Sequence, residues 1–216
     1  MRILVVTAVA AEREAVWRGL QNNHRFEVLA AGVGAAAAAA ATARALTASA
    51  YGLVVNAGIG GGFPGRAEVG SLVVADAIVA ADLGVRTAEG FLSLDELGLG
   101  ATRLPVDPGL VRAVAGALRA AGLPVRSGTV LTVATVTGTA ESAAELAARI
   151  PGAAAEAMEG YGAALAAREC GVPVLELRAV SNLVGPRDRE VWRVAEALEK
   201  LSAACRVLPE VLLKCV

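Results

Sequence analysis

The chain reads as an α/β fold whose sheet is buried on both faces. Short runs of Val, Leu and Ile recur without the polar alternation of a half-solvated strand, and alanine-rich helical stretches separate them. Apolar residues make up 56% of the chain and aromatics only 3%, so the core has to be built from Ala, Val and Leu. The 216 residues carry no composition break, linker or internal repeat, which predicts one domain over residues 1–216.

The elements follow in order. Ile3–Val6 is a continuous apolar run, hence a strand, and Glu12–Leu20 follows as a helix opened by a carboxylate. Glu27–Ala30 is a second short strand. Gly32-Val33-Gly34 then introduces the helix Ala35–Ala48, since alanine has the best intrinsic helix propensity and packs closely against a sheet. Leu53–Asn56 is a strand that runs into the glycines 58 and 60–62, where exposed backbone can approach a flat or charged ligand. Ser71–Ala81 predicts a long strand, and the weakly patterned stretch Leu83–Leu104 a loop over one end of the sheet. Pro108–Ala121 has Pro108 in its first turn, Asp107 as N-cap and Gly122 just past its end. Gly128–Ala134 is a strand and Ala140–Arg149 a helix. Glu159–Cys170 is a helix stopped at Gly171, Val174–Val180 a strand, and Arg189–Leu213 the last helix, entered through Gly185-Pro186-Arg187-Asp188.

Bulk properties exclude several functions. A net charge of −1 with no basic tail argues against a nucleic-acid or acidic-membrane binder, because no surplus of cations is available to neutralise phosphates. The Ala35–Ala41 run is too short to span a bilayer, and Met1 leads straight into a strand without a signal-peptide pattern, so a cytoplasmic protein is expected. Cys170, Cys205 and Cys215 lack metal-ligand spacing and read as small buried hydrophobes in a reducing compartment. His24 is the sole histidine and sits in a turn signal, leaving a zinc site or a Ser-His-Asp triad poorly supplied. No GxxxxGK[ST] occurs, and no metal or organic cofactor is expected.

The residues that carry chemistry sit at strand ends. Glu12 follows the first strand, Met158-Glu159-Gly160 opens an apolar helix, and Arg178-Ala179-Val180-Ser181-Asn182 closes the last strand. Two carboxylates, a guanidinium and an amide there suit cleavage of a bond between a sugar and a base. Glu14 lies roughly 200° around the helix from Glu12, so only one of the two can face a site. Phosphate beside Glu12 would be repelled, and the turn from Thr7 to Glu12 offers no arginine, so water is the better nucleophile than phosphate.

These segments, with Ile3 to Glu12 and Val54 to Gly62, make the chain resemble the nucleoside phosphorylase/nucleosidase superfamily, and within it the methylthioadenosine/adenosylhomocysteine nucleosidase branch. The resemblance spans almost the whole chain. It implies a three-layer α/β/α fold around a mixed, partly barrel-like sheet, a small-molecule nucleoside substrate and a homo-oligomer. It further implies that Glu12 activates the attacking water and that Arg178 helps hold it. Glu159 would bind ribose hydroxyls, with Met158 beneath the sugar, while Ile59, Gly60, Gly61 and Val136 contact substrate. Asn182 stands where adenine-specific members have an aspartate. An asparagine can donate to a 6-oxo group or N7 and accept from a ring N–H, which points to a 6-oxopurine. Glu156 to Gly162 and Arg178 to Arg189 are moreover similar to the futalosine hydrolases, which remove hypoxanthine from futalosine in menaquinone biosynthesis. Their substrate bears a carboxylate beyond the 5′ carbon, for which Arg187 and Arg189 are candidates. The alternatives are a methylthioadenosine/adenosylhomocysteine nucleosidase, which Asn182 disfavours, a purine nucleoside phosphorylase, which Glu12 disfavours, and a non-catalytic nucleoside-binding module.

Overall fold

A computed structural model describes residues 1–215. Its strands are β1 (Ile3–Thr7), β2 (Phe26–Ala30), β3 (Leu53–Gly62), β4 (Leu72–Ala80), β5 (Gly84–Thr87), β6 (Gly90–Ser93), β7 (Arg103–Pro105), β8 (Val125–Thr132), β9 (Ala153–Ala157) and β10 (Val174–Leu183). Its helices are α1 (Ala10–Gly19), α2 (Ala35–Ala48), α3 (Pro108–Ala120), α4 (Ala140–Arg149), α5 (Gly160–Glu169) and α6 (Val194–Cys215).

The main sheet is mixed and closes on itself. Strand order runs β10-β4-β8-β9-β3-β1-β2, and β10 also pairs with β3, so β3, β10, β4, β8 and β9 form a ring from which β1 and β2 extend. The largest apolar core packs α1, α3 and α6 against this sheet through Val16, Val114, Leu118, Leu201 and Leu208. On the other side α2 and α5 cover Leu4, Val6 and Val54 through Ala38, Ala163 and Ala167. Helices thus sandwich a barrel-like sheet, as the resemblance implies. The small side chains are what let the layers approach: a Cβ on Gly162 in α5 would overlap the Ala35 carbonyl of α2.

Local signals hold where a specific side chain acts. Asp107 caps α3 by accepting the Leu110 N–H at 2.7 Å, with Pro108 at its start. Gly122 and Gly171 take the left-handed conformation past their helices, at φ +76° and +67°. Other expectations need correction. Leu83–Leu104 is not a bare loop: it holds the β5–β6 hairpin, and β7 beyond it adds to β4. Strand β9 lies where no element was expected, because Ala153–Ala157 has none of the β-branched residues that mark a strand. The glycines after Asn56 do not end a strand, since β3 continues through Gly62. The last helix begins at Val194, after a single 3-10 turn over Arg189–Val191 capped by Asp188. Of the cysteines only Cys205 is buried; Cys170 and Cys215 are exposed, as helix-terminal residues often are.

The α2–α5 contact yields a test. Gly162→Ala should lower stability by about 2 kcal/mol or more, because the added methyl meets backbone that cannot yield. Urea unfolding of the variant against wild type measures it, and an unchanged midpoint would contradict the close approach.

Candidate active site

A split in the sheet creates the site. Leu53–Asn56 of β3 pair with β1, whereas Gly61 and Gly62 pair with β9, so between Asn56 and Gly61 the strand has no partner strand on that side among the described residues. A cleft of about 510 Å³ opens there. Glu12 fills the gap from the first turn of α1. One of its carboxylate oxygens accepts the Ile59 N–H at 2.9 Å, and the other accepts the N–H groups of Ala8 (2.8 Å) and Val9 (3.3 Å). Buried to 3% exposure yet lining the cleft, it is held in place by three backbone donors. Glu14 is exposed, as its angular offset requires.

Glu159 enters from the turn before α5. It accepts the Gly34 N–H at 3.1 Å and the Met158 N–H at 3.3 Å, and approaches an Arg178 terminal nitrogen at 3.5 Å. The Gly32-Val33-Gly34 turn thus places a backbone donor on a site carboxylate, and Val33 lines the cleft. On β10 the register against β3 shifts between Val180 and Asn182. This bulge gives Ser181 and Asn182 their places on the cleft wall. The Ser181 hydroxyl donates to the Asn182 side-chain oxygen at 2.8 Å, and the amide nitrogen donates to the Leu183 carbonyl at 2.9 Å.

Every sequence-predicted site residue except one lines this cleft: Met158, Val136, Arg187 and Arg189 join Ile59, Gly60 and Gly61 there with Glu12, Glu159 and Asn182. Arg178 does not. At 1% exposure it lies behind the wall, donating from Nε to Glu176 at 2.9 Å and from a terminal nitrogen to the Asn56 side-chain oxygen. Burial alone would weaken its charge, but Glu176, Glu159 and Glu12 together hold its pKa above the usual value. Glycine makes the arrangement possible, since a Cβ on Gly58 would come within 2.6 Å of both Glu12 and Arg178.

Sequence reading passed over three residues here. Glu156 on β9 lines the cleft at 5% exposure, and the Thr137 N–H donates to it at 2.9 Å while the Thr137 hydroxyl donates to its other oxygen. Burial raises its pKa, and the Thr137 hydrogen bonds oppose that rise. Its signal was a carboxylate inside an otherwise apolar Ala run. Gly61 pairs with Glu156 on one side and with Asn182 on the other, so the two polar side chains flank a floor without side chains, their backbones about 10 Å apart. Trp192 lines the cleft with the guanidinium groups of Arg187 and Arg189 at 5.0 and 5.8 Å from its ring centre. Glu176 is fully buried, and burial, only partly offset by Arg178, pushes its carboxyl up to about 7.

A cleft carrying three buried carboxylates, an amide and a glycine floor at the ends of barrel-like strands is the site of a nucleoside-cleaving class of protein. The family model described as Phosphorylase superfamily matches residues 6–216, and the chain belongs to that family. It is 57% identical to the futalosine hydrolase of Streptomyces coelicolor, over 98% of this chain and 97% of that one. Among solved structures it is similar to the futalosine hydrolase of Helicobacter pylori, with a TM-score of 0.81 at 16% identity over 100% and 98% of the two chains. It is equally similar in fold to the 5′-methylthioadenosine/S-adenosylhomocysteine nucleosidase of Neisseria meningitidis, with a TM-score of 0.81 at 22% identity over 100% and 99%.

The raised Glu176 carboxyl ties stability to pH. From its ordinary 4.5 to about 7, the folded state keeps a proton that the unfolded chain has released. Stability from this group is therefore full below about pH 4.5 and is lost as pH rises to about 7, by about 3 kcal/mol at most. Glu176→Gln removes the dependence, so the unfolding free energy of that variant relative to wild type should grow across this window. Urea titrations at several pH values check it, and a constant difference would count against the shift.

Proposed function

We propose that this protein hydrolyses the N-glycosidic bond of futalosine, releasing hypoxanthine and dehypoxanthinyl futalosine in menaquinone biosynthesis. The observation that carries the mechanism is the placement of Glu12, Glu159 and Asn182 on one cleft around a glycine floor. The near full-length similarity to the Streptomyces coelicolor enzyme supports the choice of substrate.

The chemistry follows from the groups present. Departure of a purine leaves an oxocarbenium-like ribosyl centre, so the site has to stabilise the leaving base and poise a water. Glu12, held in place by three backbone N–H groups, accepts the proton of the attacking water. Glu159 accepts hydrogen bonds from ribose hydroxyls, with Met158 packed beneath the sugar. The Asn182 amide turns from Leu183 to the purine and stabilises negative charge as it builds on N7 and O6, an interaction that strengthens in the transition state. Glu156, across Gly61, accepts the N1–H of a 6-oxopurine. A 6-aminopurine has a lone pair at N1, which this carboxylate would repel. Ile59, Gly60, Gly61 and Val136 form the surface on which the base and sugar rest. Arg187 and Arg189, stacked about Trp192, receive the carboxylate of the 5′ substituent. Arg178 acts through the carboxylates it orders rather than on substrate.

Purine release from futalosine and from methylthioadenosine, assayed side by side in phosphate-free buffer, tests the reading. Hypoxanthine should appear from futalosine alone; adenine from methylthioadenosine with futalosine untouched would overturn it. In the same assay Glu12→Gln should lower kcat by about 10²–10⁴-fold while leaving substrate affinity near wild type. Glu156→Gln should cut kcat/KM for futalosine about 10–100-fold, the worth of one hydrogen bond to a charged acceptor. Wild-type kcat/KM in that variant would remove Glu156 from base recognition.

A further inference from the structure

Arg178 is one guanidinium among three buried carboxylates. Glu12 and Glu159 face the cleft in front of it, and Glu176 lies two residues back along β10, with all three no more than 4% exposed. Ionised together, they leave a net charge of −2 in a space shared with Asn56 of β3, whose amide is neutral. A cluster of that kind favours binding a proton.

Hydrogen bonding says where the proton goes. Glu12 is satisfied by three backbone N–H groups and Glu159 by two. Glu176 has Arg178 Nε as its sole donor among the described residues, and its second oxygen has no partner. That oxygen points at Gly160, where any side chain would overlap it. The room for Glu176 is therefore built into the same turn that carries Glu159. Drawn to Glu176 at 2.9 Å, Arg178 stands 3.5 Å from Glu159, beyond a good charge-assisted hydrogen bond.

Building on the function proposed above, we infer that Glu176 is a positioning residue, which by gaining or losing the cluster's exchangeable proton decides how far Arg178 engages Glu159 and Glu12. Protonated, Glu176 no longer competes, and the guanidinium closes on the two carboxylates that face substrate. Ionised, it holds Arg178 back and adds a second unbalanced charge. Activity therefore falls as this site loses its proton. Glu12 on α1, Glu159 before α5, and Arg178 and Glu176 on β10 are the charged groups that meet here.

Two measurements test this, one of them independent of catalysis. Infrared difference spectra of the wild-type protein between about pH 6 and about pH 8.5 should show a buried protonated carboxyl band that disappears on raising pH. The band should be missing in Glu176→Gln. No band in wild type, or the same band in the variant, overturns the inference whatever the enzyme acts on. Wild-type kcat/KM for futalosine should fall about tenfold across that range, and Glu176→Gln should lose the fall, varying less than about twofold whatever its absolute level. Superimposable pH profiles would overturn it too. Glu176→Leu cannot compete for Arg178 at any pH and should likewise lose the fall. A folded Glu176→Leu that keeps the wild-type fall would overturn the inference.

Discussion

Burying one guanidinium inside the protein organises the site. An isolated charge in the interior costs several kcal/mol, so Arg178 can lie there only with partners on every side. They come from four elements: Glu176 on its own strand, Asn56 on β3, Glu159 before α5 and, electrostatically, Glu12 on α1. Each partner is tied down in turn. Asn56 donates to the Val6 carbonyl of β1 at 3.1 Å, Glu12 links the turn after β1 to β3, and Glu159 reaches the turn before α2. The outcome is a set of side chains whose rotamers are fixed by one another, which is what a site for bond cleavage requires.

The sheet topology explains why the cluster opens on a cleft instead of being sealed. Strand β3 changes neighbour on one side, from β1 to β9, while keeping β10 along the other. The change leaves unpaired backbone between Asn56 and Gly61, and Glu12 satisfies its Ile59 N–H with a side chain in place of a strand. The glycines of β3 do separate jobs there. Gly58 admits Glu12 and Arg178, while Gly60 and Gly61 leave a bare floor between β9 and β10. The bulge at Ser181 completes the wall.

Much of this was legible in the sequence because the chemistry falls on unusual residues: Met158-Glu159, Arg178, Asn182 and Glu12 are polar groups against a background of Ala, Val and Leu. The helices were legible from capping and alanine content. What escaped depended on tertiary pairing. Strand β9 is four alanines and a glutamate, with no propensity for a strand, and it forms one because β3 and β8 both pair with it. With β9 missed, Glu156 had no face and no role. Glu176 reads as a surface residue of an apolar strand until Arg178 is seen folded back against it. The β5–β6 hairpin and β7 lie in a stretch whose polar residues mask a short period-2 pattern.

The same charges decide between water and phosphate, a choice the family as a whole leaves open. An attacking phosphate would bring at least one negative charge next to Glu12 and Glu159, both held by backbone donors and both on the cleft wall. The cation nearest those carboxylates is Arg178, already shared between them and Glu176 and closed off from the cleft. Arg13, the next arginine after the first strand, donates to the Val28 carbonyl at an exposed position and does not line the site. Arg187 and Arg189 do line it, but their guanidinium groups lie against the Trp192 ring. Phosphate would thus be desolvated with little counter-charge, whereas water needs only an acceptor for its proton.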